Sequence, residues 1–374
     1  MNIKNIRTQP YNELPDLPPP LEVVDTPRIR KAWGHALEEL AELRATNRVV
    51  KNEEILFQAI SMQEARSSSE IENIYTKDDD LFGNPEKEDP NAKEVKNYQK
   101  ALAYGYQHLK NGGFLTTDLF IKIGSIIVDD GKIFELRDIG ETYIANDILG
   151  VEERIYTPPH GRRVILDKLT NLEKFIYSED GYEENDERET IEPLIKMAIL
   201  HYQFEAIHPF RDGNGRTGRI LNVLYFVKAR LLTMPTLYLS RYITIHKNGY
   251  YEALRQVTEK GEWETYILFM MNCVREMAKY TREKADEIYG AMQEVQQEIE
   301  DKLPKIKNPS KVTELIFSTR YSTQSSFVEG GVGTRKTAAD YLNKLESVGI
   351  LELIKQGKQK SYKNIKFMKI LTAE

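Results

Sequence analysis

Apolar residues recur every three to four positions along most of the chain, and the interruptions mark its joints. Residues 1–25 are poor helix material: Pro10, Pro15 and Pro18-Pro19-Pro20 favour an extended arm, with Leu14, Leu17 and Leu21 available to pack it down. Thr26-Pro27, a capping residue followed by proline in the first turn, predicts a helix to about Asn47. A second helix is predicted from about Asn52, with Ile55, Leu56, Ala59, Ile60 and Met62 on one face. It continues through Ser67-Ser68-Ser69-Glu70-Ile71-Glu72-Asn73. Residues 78–89, with Gly83 and Pro85, read as loop; helices resume at about 90–110 and 117–128. Within 134–165 the pattern changes, and 141–144 and 151–157 read as short strands around turns. The acidic run 179–189 reads as a solvated loop. From Ile191 the helical period is strong, through Leu194, Ile195, Ala198, Ile199 and Tyr202. A Gly-rich, charged turn follows at 208–215, then a helix with Ile220, Val223, Leu224 and Val227 on one side, and more helix to about Asp301.

Residues 304–309 read as a linker, and beyond them the pattern is new. A helix at 312–317, a Ser/Gly-rich stretch, a helix at 334–348 with Ala338, Leu342 and Leu345 in register, and β-like runs at 350–354 and 362–368 outline a winged helix around a basic turn at 355–360. Charge changes sign there. Residues 302–374 hold 14 Lys and Arg against 6 Asp and Glu, a balance of +8; the rest hold 38 against 52, a balance of −14. The chain as a whole, at −6, is not a general polyanion binder, although one basic domain remains open.

Hydrophobic residues make up 40% of the 374, enough for a sizeable core, and the length suggests two or three domains. The single cysteine, Cys273, excludes an intrachain disulfide and a Cys-rich zinc cluster, and in its helical apolar setting reads as a small buried hydrophobe. Met1-Asn2-Ile3-Lys4-Asn5 lacks the apolar core of a secretion signal, and no apolar run approaches the roughly 20 residues that cross a bilayer. The expectation is a soluble, cytoplasmic, multidomain protein that is mostly α-helical, with one small β element.

The chemistry concentrates in His208-Pro209-Phe210-Arg211-Asp212-Gly213-Asn214-Gly215-Arg216-Thr217-Gly218-Arg219. Glycines just before a helix let backbone N–H groups converge on an anion. Arg216 and Arg219, three apart, share one side of the first helical turn and suit phosphates. Asp212 is a hard oxygen ligand suited to magnesium, and His208 suits proton acceptance at neutral pH. Gly213, Gly215 and Gly218 formally match G-x-G-x-x-G, but a helix rather than a strand precedes them, against a dinucleotide fold. The plain alternative is a helix–turn–helix connection with its arginines in surface salt bridges.

These twelve residues resemble the signature of the Fic family at every specified position, from His208 to Arg219. The resemblance implies a fold: a Fic-type helical core with a small β-hairpin flap, an N-terminal helical extension (1–110), the core itself (111–300) and a C-terminal winged helix (308–374). It implies a reaction, transfer of AMP from ATP to a Ser, Thr or Tyr hydroxyl of a target protein. His208 would be the base and Asp212 the magnesium ligand. Gly213, Asn214 and Gly215 would cradle phosphates through backbone and amide groups, with Thr217 and Gly218 in the same ATP-binding turn. Arg216 and Arg219 would neutralise the polyphosphate, Arg219 nearest the γ-phosphate. Glycine at 215 fits adenylylation, since phosphorylating relatives place lysine there; transfer of UMP or phosphocholine is not excluded.

Upstream, Ser68, Glu72 and Asn73 match the family's inhibitory pattern, which implies that Glu72 bridges Arg219 and blocks the γ-phosphate, and in some relatives positions water for AMP removal. A surface glutamate is the plain alternative. Tyr156-Thr157-Pro158-Pro159-His160-Gly161 falls at the family's flap, where a target could dock by strand addition. Tyr250 and Tyr251 fall where relatives line the adenine pocket, though aromatic pairs more often serve a core. His201 reads as packed rather than catalytic, and His35, His108 and His246 have no partners at metal spacing. Relatives also associate through the core, which allows a homodimer. A second class of function is a DNA-binding regulator using Lys336, Lys344, Lys358 and Lys360, with the core as a nucleotide-sensing or de-adenylylating module. A toxin dependent on a separate antitoxin ranks third, because an internal brake makes one less necessary.

Overall fold

The computed structural model describes residues 3–49, 53–77, 89–129, 134–138, 142–148, 151–178, 190–319, 321–356 and 359–372. The elements run α1 (Ile3–Thr8), α2 (Leu21–Val24), α3 (Pro27–Val49), α4 (Glu53–Ile71), α5 (Pro90–Lys110), α6 (Thr117–Val128), β1 (Ile144–Ile148), β2 (Val151–Tyr156), α7 (Arg162–Tyr177), α8 (Pro193–Ile207), α9 (Asn214–Lys228), α10 (Leu239–Ile245), α11 (Lys247–Lys260) and α12 (Trp263–Lys302). After these come α13 (Pro309–Ser318), β3 (Tyr321–Ser322), α14 (Gln324–Glu329), α15 (Arg335–Ser347), β4 (Leu351–Gln356), β5 (Gln359–Asn364) and α16 (Ile365–Thr372).

Local signals place several helix starts. The Asp89 carboxylate accepts from Ala92 N–H and the Thr116 side chain from Leu119 N–H, ahead of α5 and α6. Pro27, Pro90, Pro193 and Pro309 each open a helix, where a missing N–H costs nothing. The helix centres are set by burial. Thirteen of the fifteen α8 residues are buried, so α8 is a central helix rather than the one-faced helix that its period suggests. Helix α9 lies beside it, with twelve of fifteen buried. Helices α3, α5, α6, α7 and α12 pack around this pair in one apolar cluster. Ile55, Leu56, Ala59 and Ile60 of α4 belong to a second cluster, with Ile288 and Ile299 of α12, Val312, Phe317, Leu342 and Phe367.

The flap is a two-stranded antiparallel hairpin, β1 with β2. Its first strand begins at Ile144, later than expected; Glu141 lies outside the described residues, as do 78–88 and 179–189. The arm is not wholly extended: residues 3–8, free of proline, form α1, while Leu14 and Leu17 are buried as expected. Residues 304–309 are packed rather than free. Ile306 is buried in the second cluster, and Lys307 N–H donates to the Tyr341 hydroxyl at 2.9 Å.

The C-terminal unit has the element order of a winged helix, with sheet order β3-β5-β4. Two expectations change there. The Ser/Gly-rich stretch contains α14, closed by a reciprocal cap between Thr323 and Ser326. The last strand ends at Asn364 instead of running to 368, because the Asn364 side chain accepts from Phe367 N–H at 3.1 Å and starts α16. Residues 357–358 of the basic turn lie outside the described residues.

Candidate active site

Helix α8 stops because His208 precedes a proline, which disfavours helical backbone. His208 takes the left-handed conformation (φ 48°), and its N–H caps the helix on Phe204 O at 3.0 Å. The Asn214 side chain then closes the turn: it accepts from Phe210 N–H and donates to Phe210 O, both at 2.8 Å. The Asn214 amide is thus engaged within the turn, and its backbone N–H is the group left without an intrahelical acceptor. Gly213 (φ 79°) turns the chain into α9. By helix geometry the N–H groups of Asn214, Gly215 and Arg216 have no acceptor inside α9, and the helix dipole makes that end positive.

An internal anion already sits there. A Cβ on Gly215 would collide with the Glu72 carboxylate, so glycine is what lets Glu72 reach the mouth of α9. Glu72 Oε1 accepts from Arg219 Nη2 at 2.8 Å. Arg219 also donates from Nε to Ser68 Oγ at 2.7 Å and from Nη2 to Ser68 O at 2.9 Å, and is 2% exposed. Arg219 is therefore captive on the last turn of α4. Burial works against its charge, but Glu72 and Glu205 more than offset that and hold the guanidinium protonated. Asn73 adopts φ 61° just after α4, and its Oδ1 accepts from Lys247 Nζ at 3.1 Å. Arg216, 3% exposed, pairs with Glu94 of α5 and with Asp212 (3.1 Å), while its Nε has no hydrogen-bond partner among the described residues. The Asp212 carboxylate, largely exposed, also accepts from Gly213 N–H at 2.5 Å. Among the described residues the buried Thr217 hydroxyl lacks a partner too.

Burial, then the Arg137 charge, push the His208 imidazole down to about 4, with Glu72, the Glu205 carbonyl and Asp212 pulling the other way. The ring is thus neutral at pH 7 and within electrostatic reach of the α9 mouth. Burial likewise takes His201 down to about 3; its Nε2 meets the Tyr250 hydroxyl at 2.7 Å, in keeping with a packed histidine. Tyr250 is buried, whereas Tyr251, 5.2 Å away between ring centres, is 41% exposed. Only Tyr251 presents a ring to solvent.

The flap segment named as a docking place is not free. Tyr156, Thr157, Pro158 and Pro159 are buried, and the arm covers them: Thr157 N–H donates to Ile6 O (2.9 Å) and Tyr11 N–H to Thr157 O (3.0 Å).

Four residues around the site have no sequence signal of their own. Glu64, 1% exposed, accepts from Ser240 N–H (2.9 Å), the Ser240 hydroxyl and the Tyr98 hydroxyl (3.1 Å), pinning the middle of α4. Glu94 holds Arg216. Glu205 Oε1 is buried beside Gly218 without a hydrogen-bond partner among the described residues, and burial raises its carboxyl to about 7. Arg137 grips the end of α8. Glu64, Glu94 and Arg137 lie far along the chain from the groups they touch, and Glu205 carries no motif.

The arrangement defines a helical domain whose central helix–turn–helix forms an anion site with a neutral imidazole at its rim. Three family models match the chain: Fic/DOC family N-terminal over 30–107, Fic/DOC family over 114–226, and the C-terminal domain of SoFic-like protein adenylyltransferases over 291–367, together more than two thirds of its length. The chain belongs to the Fic/DOC family. It is 30% identical over 94 residues to the protein adenylyltransferase Fic of Culex quinquefasciatus, covering 25% of this chain and 17% of that protein. It is 25% identical over 185 residues to a probable protein adenylyltransferase of Aquifex aeolicus, covering 50% and 53%. The chain thus spans only a part of each. The fold is similar to that of a Fic family protein from Desulfovibrio desulfuricans, with a TM-score of 0.53 at 16% identity over 91% of this chain and 96% of that one. Among the described residues no helix is long and apolar enough to cross a membrane.

Proposed function

We propose that the chain is a self-inhibited protein adenylyltransferase that moves AMP from ATP to a Ser, Thr or Tyr hydroxyl of a target protein. The observation that carries this reading is the Glu72 carboxylate, which sits against Gly215 at the N-terminus of α9 and holds Arg219. A site that binds an internal carboxylate through a helix N-terminus and a buried arginine is suited to a phosphate. The names of the relatives support the choice of AMP.

In the reaction, His208 takes the proton of the target hydroxyl as its oxygen attacks the α-phosphorus. The bond to the pyrophosphate breaks, and the leaving charge falls to the α9 amides, Arg216 and Arg219. An imidazole near 4 is a weak base, but arriving triphosphate adds negative charge around it and raises its proton affinity toward the useful range. The exposed Asp212 carboxylate at the rim fits a hard cation; magnesium held there supplies charge neutralisation on the phosphates when bound. The γ-phosphate seats only when Arg219 leaves Glu72 and Ser68. The target segment meets the outer edge of β1, since the arm covers the far end of β2.

With labelled ATP and magnesium, Glu72→Gly is expected to raise label transfer about 10- to 100-fold, the worth of one charge-assisted contact. His208→Ala in that background lowers it about 10²- to 10⁴-fold. A Glu72→Gly protein that binds ATP normally yet transfers no label sinks the reading.

A second reading, nucleic-acid binding through the C-terminal unit, is favoured by Arg335 and Lys336, both exposed at the start of α15, and by exposed Lys360. It is weakened at Lys344, which is tied to Asp340 at 2.5 Å; Lys358 lies outside the described residues.

A further inference from the structure

Four consecutive carbonyls at the end of α8 are taken by side chains and backbone from around the flap. A helix leaves its last carbonyls without intrahelical donors. Here the Tyr156 hydroxyl donates to Ala206 O at 2.8 Å. Arg137 takes the next three: Nη2 to Ile207 O at 3.0 Å, Nε to His208 O at 2.6 Å, and its own backbone N–H to Pro209 O at 3.0 Å. The same Nη2 donates to Pro159 O at 2.6 Å, just beyond β2. One buried side chain, 5% exposed, thus binds both sides of the His208 peptide and the exit of the flap.

This grip is unusual for an arginine. The hydrogen bonds it makes all go to carbonyls, and burial brings its guanidinium down to about 10. The negative end of the α8 dipole is what makes a buried cation tolerable there. We propose that Arg137 is a positioning residue for His208: it fixes the left-handed backbone from which the imidazole projects and ties that backbone to the flap, so that target and base are held in one frame. The inference rests on the transferase reading above.

Two effects follow. His208 at φ 48° is a conformation that a non-glycine residue holds only when its surroundings impose it; three donors from Arg137 impose it. The charges that face the ring are Arg137 from the segment before β1, Glu72 from the end of α4 and Asp212 from its own turn, with the Glu205 carbonyl on α8. Arg137 alone among these opposes protonation. It keeps the ring neutral as well as placed.

The test uses the full chain in the Glu72→Gly background. Arg137→Met is expected to lower kcat for AMP transfer about 10- to 100-fold, the cost of misplacing a catalytic group by about an ångström, while the Kd for magnesium-ATP stays the same. Arg137→Lys, which keeps the charge and loses the planar fork, falls between the two. The chain has 6 histidines, so ¹⁵N-histidine NMR follows His208 directly. Its titration midpoint, and the acid limb of kcat/KM with it, moves to higher pH in Arg137→Met and stays near the parent value in Arg137→Lys. An unchanged kcat and midpoint in Arg137→Met overturns the proposal, as does a loss carried wholly by ATP affinity. If Arg137→Met does not fold, an Arg137→Lys protein with parental kcat overturns it instead. A Glu72→Gly parent without transfer activity counts against the functional reading, and the NMR midpoint then decides this one alone.

Discussion

The Fic core and the C-terminal unit have different interiors. The core buries Arg137, Arg216, Arg219, Glu64, Lys196 and His201 among its apolar side chains. Beyond residue 303, the buried polar side chains among the described residues are Thr313, Ser322, Ser361 and Asn364, all neutral. Charge is expensive to bury unless it is paired or used. The difference therefore separates a region whose interior is built around charged side chains from one held together by apolar packing and neutral polar groups, and it does so without any motif. Helix α4 spans both. Its first turns pack with Phe317 and Leu342 in the C-terminal cluster, Gln63 Nε2 donates to Leu371 O at 3.0 Å, Glu64 is fixed in the core, and its end carries Glu72.

The largest effect should come from the apolar side. Leu342 is fully buried beside Phe317 and Val312. Leu342→Ala is expected to cost about 2–5 kcal/mol of the C-terminal unit's stability, seen in denaturant unfolding, with ATP affinity unchanged. A large shift in ATP affinity would show that the two interiors are not separable. A smaller effect is expected in the core. Glu64→Gln keeps the shape but gives Ser240 N–H and the two hydroxyls a poorer acceptor, at about 1–3 kcal/mol. Because Glu64 lies two turns before Glu72, basal label transfer should rise as well. Stability lost without any rise would make Glu64 part of the scaffold only.

The contrast also explains what the amino-acid pattern disclosed. The His208–Arg219 turn was legible because every group it needs is contiguous, and α3 was legible from Thr26-Pro27. Arg137, Glu94 and Glu64 were not, because each acts on groups tens to hundreds of positions away; Arg137 is 71 residues from His208, and Glu64 is 176 from Ser240. In the C-terminal unit the misread was local. Ile365, Phe367, Met368 and Ile370 fit a strand or a helix equally over so short a run, and the Asn364 cap together with packing against the second cluster decides for helix. The burial of Tyr156–Pro159 under the arm was equally illegible, since it depends on Ile6 and Tyr11.

The smallest expected effect concerns the Glu72–Arg219 contact. Burial pushes the Glu72 carboxyl up, but the charge and hydrogen bond of Arg219, with Arg216 and His208 behind them, more than reverse this and hold it below its ordinary value of 4.5. A depressed carboxyl contributes stability that is present above the ordinary value and lost as pH falls through the lowered one. The Glu72 side chain is 36% exposed, so solvent screening limits the contribution to about 1 kcal/mol or less. Glu72→Gln should therefore melt slightly below the parent at pH 7, with the gap closing in acid as the parent carboxylate protonates. A gap that persists in acid would show that the stabilisation does not depend on the Glu72 charge, because the Arg219–Ser68 hydrogen bonds are common to both proteins. On the proposed reading a weak contact suffices, because Glu72 would act by occupying the helix mouth and Arg219 rather than by adding stability to the fold.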